Sequence, residues 1–202
     1  MSRYCSECGK SRKACICSHI QRLTPNVELV ILQHPTEQHK AMGTARILSL
    51  SLTNSRCFVG EDFSLHSELN ALLNEPDVAH WLLYPGEQAQ PLSSVLTPGR
   101  PEKIRVILID GTWKKAYKIW QLSTNLHSLP QLKLAETLTG NYRIRKAPSD
   151  NSLSTVEAGY HLLSELEPEQ DFSPLMNAFE HMIQFQIDQM PLELYQRHYG
   201  SR

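Results

Sequence analysis

The run Ile104-Arg105-Val106-Ile107-Leu108-Ile109 constrains the fold of this chain more than any other feature. A nearly continuous aliphatic stretch, without polar alternation, describes a strand buried on both faces. Strands of that kind belong to parallel sheets covered by helices on each side. The run passes directly into Asp110-Gly111-Thr112, and residues 113–122 then carry helical spacing. The alternation recurs along the chain. Residues 27–32 predict a buried strand and 38–50 a helix, 56–59 a short strand and 65–73 a helix. Residues 78–84 predict another strand, closed by Pro85-Gly86, and 132–134 one more. Helices over 154–166 and 174–189 end the pattern. This order predicts an α/β fold: a single domain, mostly parallel sheet, with helices on both faces.

The chain has 202 residues, enough for one well-buried domain and a small appendage. Its formal net charge of -1 excludes a general electrostatic grip on nucleic acid, so any RNA contact must come from local basic clusters. No stretch approaches the roughly 20 apolar residues of a membrane span. Cysteines and charges appear at once at the N-terminus, where a signal peptide would carry an apolar core. The expected location is cytoplasmic.

Four of the five cysteines, Cys5, Cys8, Cys15 and Cys17, are packed at one end, which is a poor disulfide framework and a good ligand set. A Cys-x2-Cys knuckle followed by Gly9 supplies two thiolates from one tight turn, and Cys15-x-Cys17 supplies two more at tighter than standard spacing. The expectation is a structural zinc site with four cysteine ligands. Its alternative is a set of free thiols in a mobile tail. Residues 1–22 thus read as a zinc knuckle and 23–202 as the main domain. Cys57 reads as a buried core residue.

Asp110 stands at the carboxyl end of the strongest strand, where open α/β sheets collect ligands. It reads either as a functional carboxylate or, with Thr112, as a cap for the following helix. On that helix Trp113, Ala116, Tyr117 and Trp120 share a face expected to be core. Lys114, Lys115 and Lys118 share another, either solvated or a phosphate track. Residues 142–148, with Arg143, Arg145 and Lys146, form the densest basic cluster and the best candidate for nucleic acid. Ser154-x-x-Glu157 fits a capping box. His34, after the first buried strand, reads as a general base or, more often at such positions, as a hydrogen-bonded structural group.

These pieces, in this order, resemble the DTW-domain family, the tRNA-uridine aminocarboxypropyltransferases, most closely the bacterial branch. The resemblance rests on the cysteine knuckle, Gln33-His34-Pro35, Gly43-Thr44-Ala45-Arg46, Tyr84-Pro85-Gly86, Asp110-Gly111-Thr112-Trp113, and Arg145-Lys146 through Leu153-Ser154-Thr155-Val156-Glu157-Ala158. It covers nearly the whole chain. It implies a SPOUT-related fold whose C-terminal knot forms the cofactor pocket. It also implies transfer of the 3-amino-3-carboxypropyl group of S-adenosylmethionine to N3 of a uridine in the tRNA variable loop, with methylthioadenosine released. The expected catalytic base is Asp110. The expected cofactor contacts are Gly43, Thr44, Tyr84, Pro85, Gly86, Gly111, Thr112, Trp113, Leu153, Ser154, Thr155 and Glu157, and the expected RNA contacts are His34, Lys114, Lys115, Arg143, Arg145 and Lys146. Monomer and dimer both remain open.

Two rivals predict different behaviour. A SPOUT-type RNA methyltransferase would use the same cofactor and leave a methyl group on the RNA. A non-catalytic, zinc-stabilised RNA-binding protein would consume no cofactor. A metal-dependent hydrolase finds no further His/Asp cluster at ligand spacing.

Overall fold

The computed structural model describes residues 2–96, 102–135, 138, 140 and 153–191. Six strands form one sheet: β1 (Glu28–Gln33), β2 (Ser55–Val59), β3 (Val78–Leu83), β4 (Gln90–Pro91), β5 (Lys103–Asp110) and β6 (Gln131–Lys133). Their spatial order is β2-β1-β5-β3-β6-β4, and every recorded pairing is parallel. The two most aliphatic strands, β1 and β5, lie side by side at the centre. Parallel sheets place such strands there because both faces must be covered.

Successive side chains of β1 divide between two cores. Leu29 and Ile31 face one, built with helices α1 (Ala45–Ser51), α4 (Thr155–Leu166) and α5 (Ser173–Asp188). Val30 and Leu32 face the other, built with α2 (Ser67–Leu73) and α3 (Trp113–Leu122). This is the period-two alternation of a strand with helices on both faces. Ser154 opens α4 with the anticipated capping box: its side chain accepts from the Glu157 amide, and Glu157 Oε2 accepts from the Ser154 amide at 2.7 Å.

Arg105 interrupts the aliphatic run of β5 without exposing it. Its side chain is 4% exposed, and the guanidinium lies 2.6 Å from Glu28 Oε2 and 2.8 Å from Glu75 Oε2, with a further bond to the Leu72 carbonyl. A buried charge persists only when paired and hydrogen-bonded in this way.

Three expectations are corrected. The helix expected over 38–50 begins only at Ala45, because residues 35–43 form successive tight turns, including Lys40 N–H to the Glu37 carbonyl and Gly43 N–H to the Lys40 carbonyl. A Cβ on Gly43 would lie 3.2 Å from the Lys40 carbonyl oxygen, so the residue suits this turn. Cys57 is exposed rather than core, since β2 is an edge strand. The expected core face of α3 holds in part: Ala116 is buried and Trp120 packs against the second core, whereas Trp113 is 52% and Tyr117 55% exposed, and Ile119, off that face, is fully buried. Between β6 and α4, residues 136, 137, 139 and 141–152 lie outside the described residues, and among the described residues nothing bears on the expected C-terminal knot.

Candidate active site and metal centre

The carboxyl ends of β5, β3 and β6, with the turn that follows β1, open onto one cavity of about 680 Å³. That is the size and position of a small-molecule site at the strand ends of an open α/β sheet. Asp110, the last residue of β5, is on its wall and 6% exposed. The register pairs Asp110 with Gln33 at the end of β1. Gln33 Nε2 donates to Asp110 Oδ2 at 2.8 Å, and Thr155 Oγ1 donates to Oδ1 at 2.5 Å. Burial pushes the Asp110 carboxyl above its ordinary range, against the pull of these two donors. The capping alternative for Asp110 finds no support. Thr112 occupies the N-cap position of α3 and makes no side-chain cap bond.

Of the residues expected to contact the cofactor, Gly43, Thr44, Tyr84, Pro85, Gly111, Thr112, Trp113, Leu153, Ser154 and Thr155 line this cavity. Gly86 and Glu157 stand outside its lining. A Cβ on Gly86 would fall 1.9 Å from Gln131 Oε1, so its bare backbone makes room for that amide. Glu157 is buried behind Ser154 in the capping box. At Gly111 a Cβ would meet the Lys115 Cβ at 3.0 Å, so the glycine lets the first turn of α3 close over the strand end.

The expected RNA contacts separate. Lys114 is exposed on α3. Lys115 is turned inward, with Nζ 2.7 Å from Glu37 Oε1 and 2.6 Å from Thr36 Oγ1. His34 is 6% exposed and engaged at both ring nitrogens: Nδ1 accepts from the Thr36 amide, and Nε2 lies 2.6 Å from Glu61 Oε1. Its environment is that of the structural alternative, and little of it is left for a partner to touch. Arg143, Arg145 and Lys146 lie outside the described residues.

Sequence reasoning missed Glu37, Lys40, Lys133 and Gln186 in the cavity wall. The strand-end rule applied to β6 would have found Lys133. Lys40 was hidden by the helix expected over 38–50, and Glu37, just before it, was not given a role in the site. Gln186, near the end of α5, carries no local signal.

The cysteine sulfurs converge. Sγ of Cys5 is 3.7 Å from Sγ of Cys17, as is Sγ of Cys8 from Sγ of Cys15, and all four lie within 4.8 Å of one another. A disulfide would bring two sulfurs to about 2 Å. A tetrahedral centre with metal–sulfur bonds of about 2.3 Å puts its sulfurs about 3.8 Å apart. The four residues therefore fit a metal of that geometry. Gly9, at φ +70°, takes the left-handed conformation after the knuckle, and its amide donates to the Cys5 carbonyl at 3.0 Å. Backbone amides of Cys8 and Glu7 hold the Cys5 thiol down to about 6, whereas burial and the neighbouring sulfurs push the Cys17 thiol up and the Cys15 thiol is raised as well, so the case for a metal rests on the sulfur geometry. The knuckle also joins the main fold. Cys8 and Ile16 belong to the core that holds α1 and α4, and Lys10 Nζ reaches the Ala41 carbonyl at 2.5 Å.

The chain matches the DTW domain model over residues 2–187. It is 32% identical over 94% of its length to tRNA-uridine aminocarboxypropyltransferase 2 of Drosophila melanogaster, covering 77% of that protein. It is 30% and 31% identical to the proteins of that name from Mus musculus and Macaca fascicularis, over 81% of this chain. It spans 56% of the length of each of those two relatives. No solved structure matches it significantly. With the match running from the cysteine knuckle through α5, the chain belongs to the DTW domain family.

Proposed function

We propose that this chain is a tRNA-uridine aminocarboxypropyltransferase. It transfers the 3-amino-3-carboxypropyl group of S-adenosylmethionine to N3 of a variable-loop uridine. The observation that carries the reading is the buried Asp110 carboxylate, held by Gln33 and Thr155 in the wall of a cavity of about 680 Å³. The names of the relatives support aminocarboxypropyl transfer to a tRNA uridine; the donor, the N3 position and the variable loop belong to this proposal. The SPOUT-related knot belongs to the same reading and concerns residues outside those described.

The chemistry follows from the groups present. Uridine N3–H is a weak acid, and its nitrogen attacks an sp3 carbon well only as the proton leaves. Asp110 takes that proton. A carboxyl raised by burial is a stronger base than an ordinary one, closer to the N3 proton in affinity. Gln33 and Thr155 engage both carboxylate oxygens and so orient the base. As the N3–Cγ bond forms, the Cγ–sulfonium bond breaks and its electron pair returns to sulfur, leaving neutral methylthioadenosine. Which carbon moves depends on which one is held against N3.

Lys114, Arg143, Arg145 and Lys146 supply phosphate contacts in this reading, while Lys115 and His34 serve the framework. The exposed ring of Trp113 in the cavity wall, with Tyr117 exposed one turn along α3, offers an aromatic surface suited to a nucleobase. The metal held by Cys5, Cys8, Cys15 and Cys17 is zinc, with its coordination closed by four thiolates and a structural role.

Donor labelled at two positions tests the reading. Label in the carboxyl carbon must enter tRNA, and label in the methyl carbon must remain with the released thioadenosine. Methyl label in the RNA supports the methyltransferase rival.

A further inference from the structure

We infer that Glu37 and Lys40 form the subsite for the amino-acid end of the donor, Glu37 receiving its ammonium and Lys40 its carboxylate. The inference rests on the proposed function and deepens it, because this subsite bears on which carbon is offered to uridine.

Reaction at Cγ places a zwitterion close to the chemistry. Only one carbon separates Cγ from the carbon bearing the ammonium and carboxylate. A methyl-transferring site is free to point that end of the donor away from the acceptor. A site that transfers the aminocarboxypropyl group must hold it beside the base. Polar groups of both signs are therefore required in the wall near Asp110, and charge in a largely apolar cavity is informative because it is expensive to place there.

The charged residues lining the cavity, among those described, are Asp110, Glu37, Lys40 and Lys133. Glu37 is on the turn that follows β1, next to the strand carrying Gln33, and its side chain is only 12% exposed. Two ammonium groups meet it at the same oxygen: Lys115 Nζ at 2.7 Å and Lys40 Nζ at 2.8 Å from Oε1. No hydrogen bond reaches Oε2 among the described residues. The free oxygen is an acceptor, the complement of an ammonium. Lys115 is secured from a second side by Thr36 Oγ1 at 2.6 Å, so it keeps the carboxylate in place when Lys40 turns to another anion. Lys40 is able to turn, being 48% exposed at its side chain.

The two acids of the cavity are shifted in opposite directions. Burial would raise the Glu37 carboxyl, but hydrogen bonds from Lys115 and Lys40 outweigh it and keep the group below its ordinary range. Asp110 is raised by burial, and the nearby Glu37 charge adds to the effect. Neighbouring acids driven apart in this way serve different tasks, one as a standing charge and one as a proton acceptor. A purely structural ion pair is the alternative, and it makes a different prediction about ligands.

Calorimetric titration of the intact, metal-loaded protein distinguishes the two with two nucleosides. S-adenosylhomocysteine keeps the amino-acid end, and methylthioadenosine lacks it. Glu37→Gln is expected to weaken S-adenosylhomocysteine about ten-fold or more and to leave methylthioadenosine within about two-fold. Glu37→Asp should recover part of the loss. Lys40→Met, at a half-exposed position, should show the same selective loss and carries the comparison if Glu37→Gln fails to fold. Equal weakening of both nucleosides, or of neither, overturns the subsite. Failure of the wild-type protein to bind either nucleoside overturns the donor reading itself, and the subsite with it.

Discussion

Gln33 Nε2 donates to Asp110 Oδ2 at 2.8 Å from the register position directly opposite it on the neighbouring strand. The parallel pairing of β1 and β5 thus aims an amide at the carboxylate that reads best as the base. A donor to the ionised form lowers an acid's pKa. Replacing Gln33 by Leu should therefore raise the Asp110 pKa further and move the acidic limb of the kcat/KM profile to higher pH by about one unit, the value of one charge-assisted hydrogen bond. Thr155→Val should move it in the same direction. A limb that stays in place separates Asp110 from the proton transfer.

The same carboxylate has a thermodynamic signature. Burial raises its pKa in the folded protein, so the folded state favours the protonated form. The stability from that preference is present below the unfolded value of about 3.9 and is lost as pH rises through the raised folded value. At neutral pH the ionised group opposes folding. Asp110→Asn should lose transfer yet melt no lower than wild type at pH 7, with the difference closing as the pH falls below about 4. Thermal melts across that range give the test.

Arg105 offers a stability prediction away from the cavity. Removing a buried partner strands the charges around it, at a cost of about 3–5 kcal/mol. Arg105→Leu should lower stability in urea titrations by less than that, about 1–3 kcal/mol, because Glu28 keeps Arg56 at 2.8 Å and Glu75 is 45% exposed, so neither carboxylate is left buried and alone. A change below about 1 kcal/mol would show that the cluster contributes little.

At the knuckle, elemental analysis should return one zinc per chain. Cys8→Ser should reduce that content and lower the melting temperature by several degrees, since Cys8 is 4% exposed and packs in the main core. Cys57→Ser, at an exposed edge position, should change neither. Full metal content after loss of Cys8 would contradict the four-thiolate assignment.

Tyr117 separates RNA binding from donor binding. It is 55% exposed and does not line the cavity, whereas Trp113 is exposed and does. Stacking on one base is worth about 1–3 kcal/mol. Tyr117→Ala should raise the KM for tRNA about five-fold or more, leaving the dissociation constant of S-adenosylhomocysteine and the melting temperature unchanged. Trp113→Ala should affect both ligands. An unaltered tRNA KM in both variants removes the aromatic surface from recognition.

Much of this architecture was legible in the residues, for identifiable reasons. Aliphatic runs such as 104–109 have one stable environment, between two layers of helix, and strand ends such as Asp110 inherit their position from it. Ser154-x-x-Glu157 is a local motif and needed no tertiary information. The aromatic face of α3 was partly misread because spacing reports that residues share a face, not which side the core lies on. Ile119, off that face, decides it by packing in the core that also holds Ile107 of β5. The turns at 35–43 were hidden because Ala41, Met42 and Ala45 mimic helical periodicity across a segment closed by short-range hydrogen bonds. Lys40 was lost with them. The bond from Thr155 to Asp110 joins residues 45 positions apart, and no local pattern encodes it.

The central claim is the group transferred, and mass spectrometry of nucleosides tests it most directly. Unmodified tRNA incubated with the purified protein and S-adenosylmethionine should yield a uridine carrying a 3-amino-3-carboxypropyl group, with methylthioadenosine in equal amount. A methylated uridine with S-adenosylhomocysteine, or unchanged tRNA across several species with zinc-replete protein, would contradict the account.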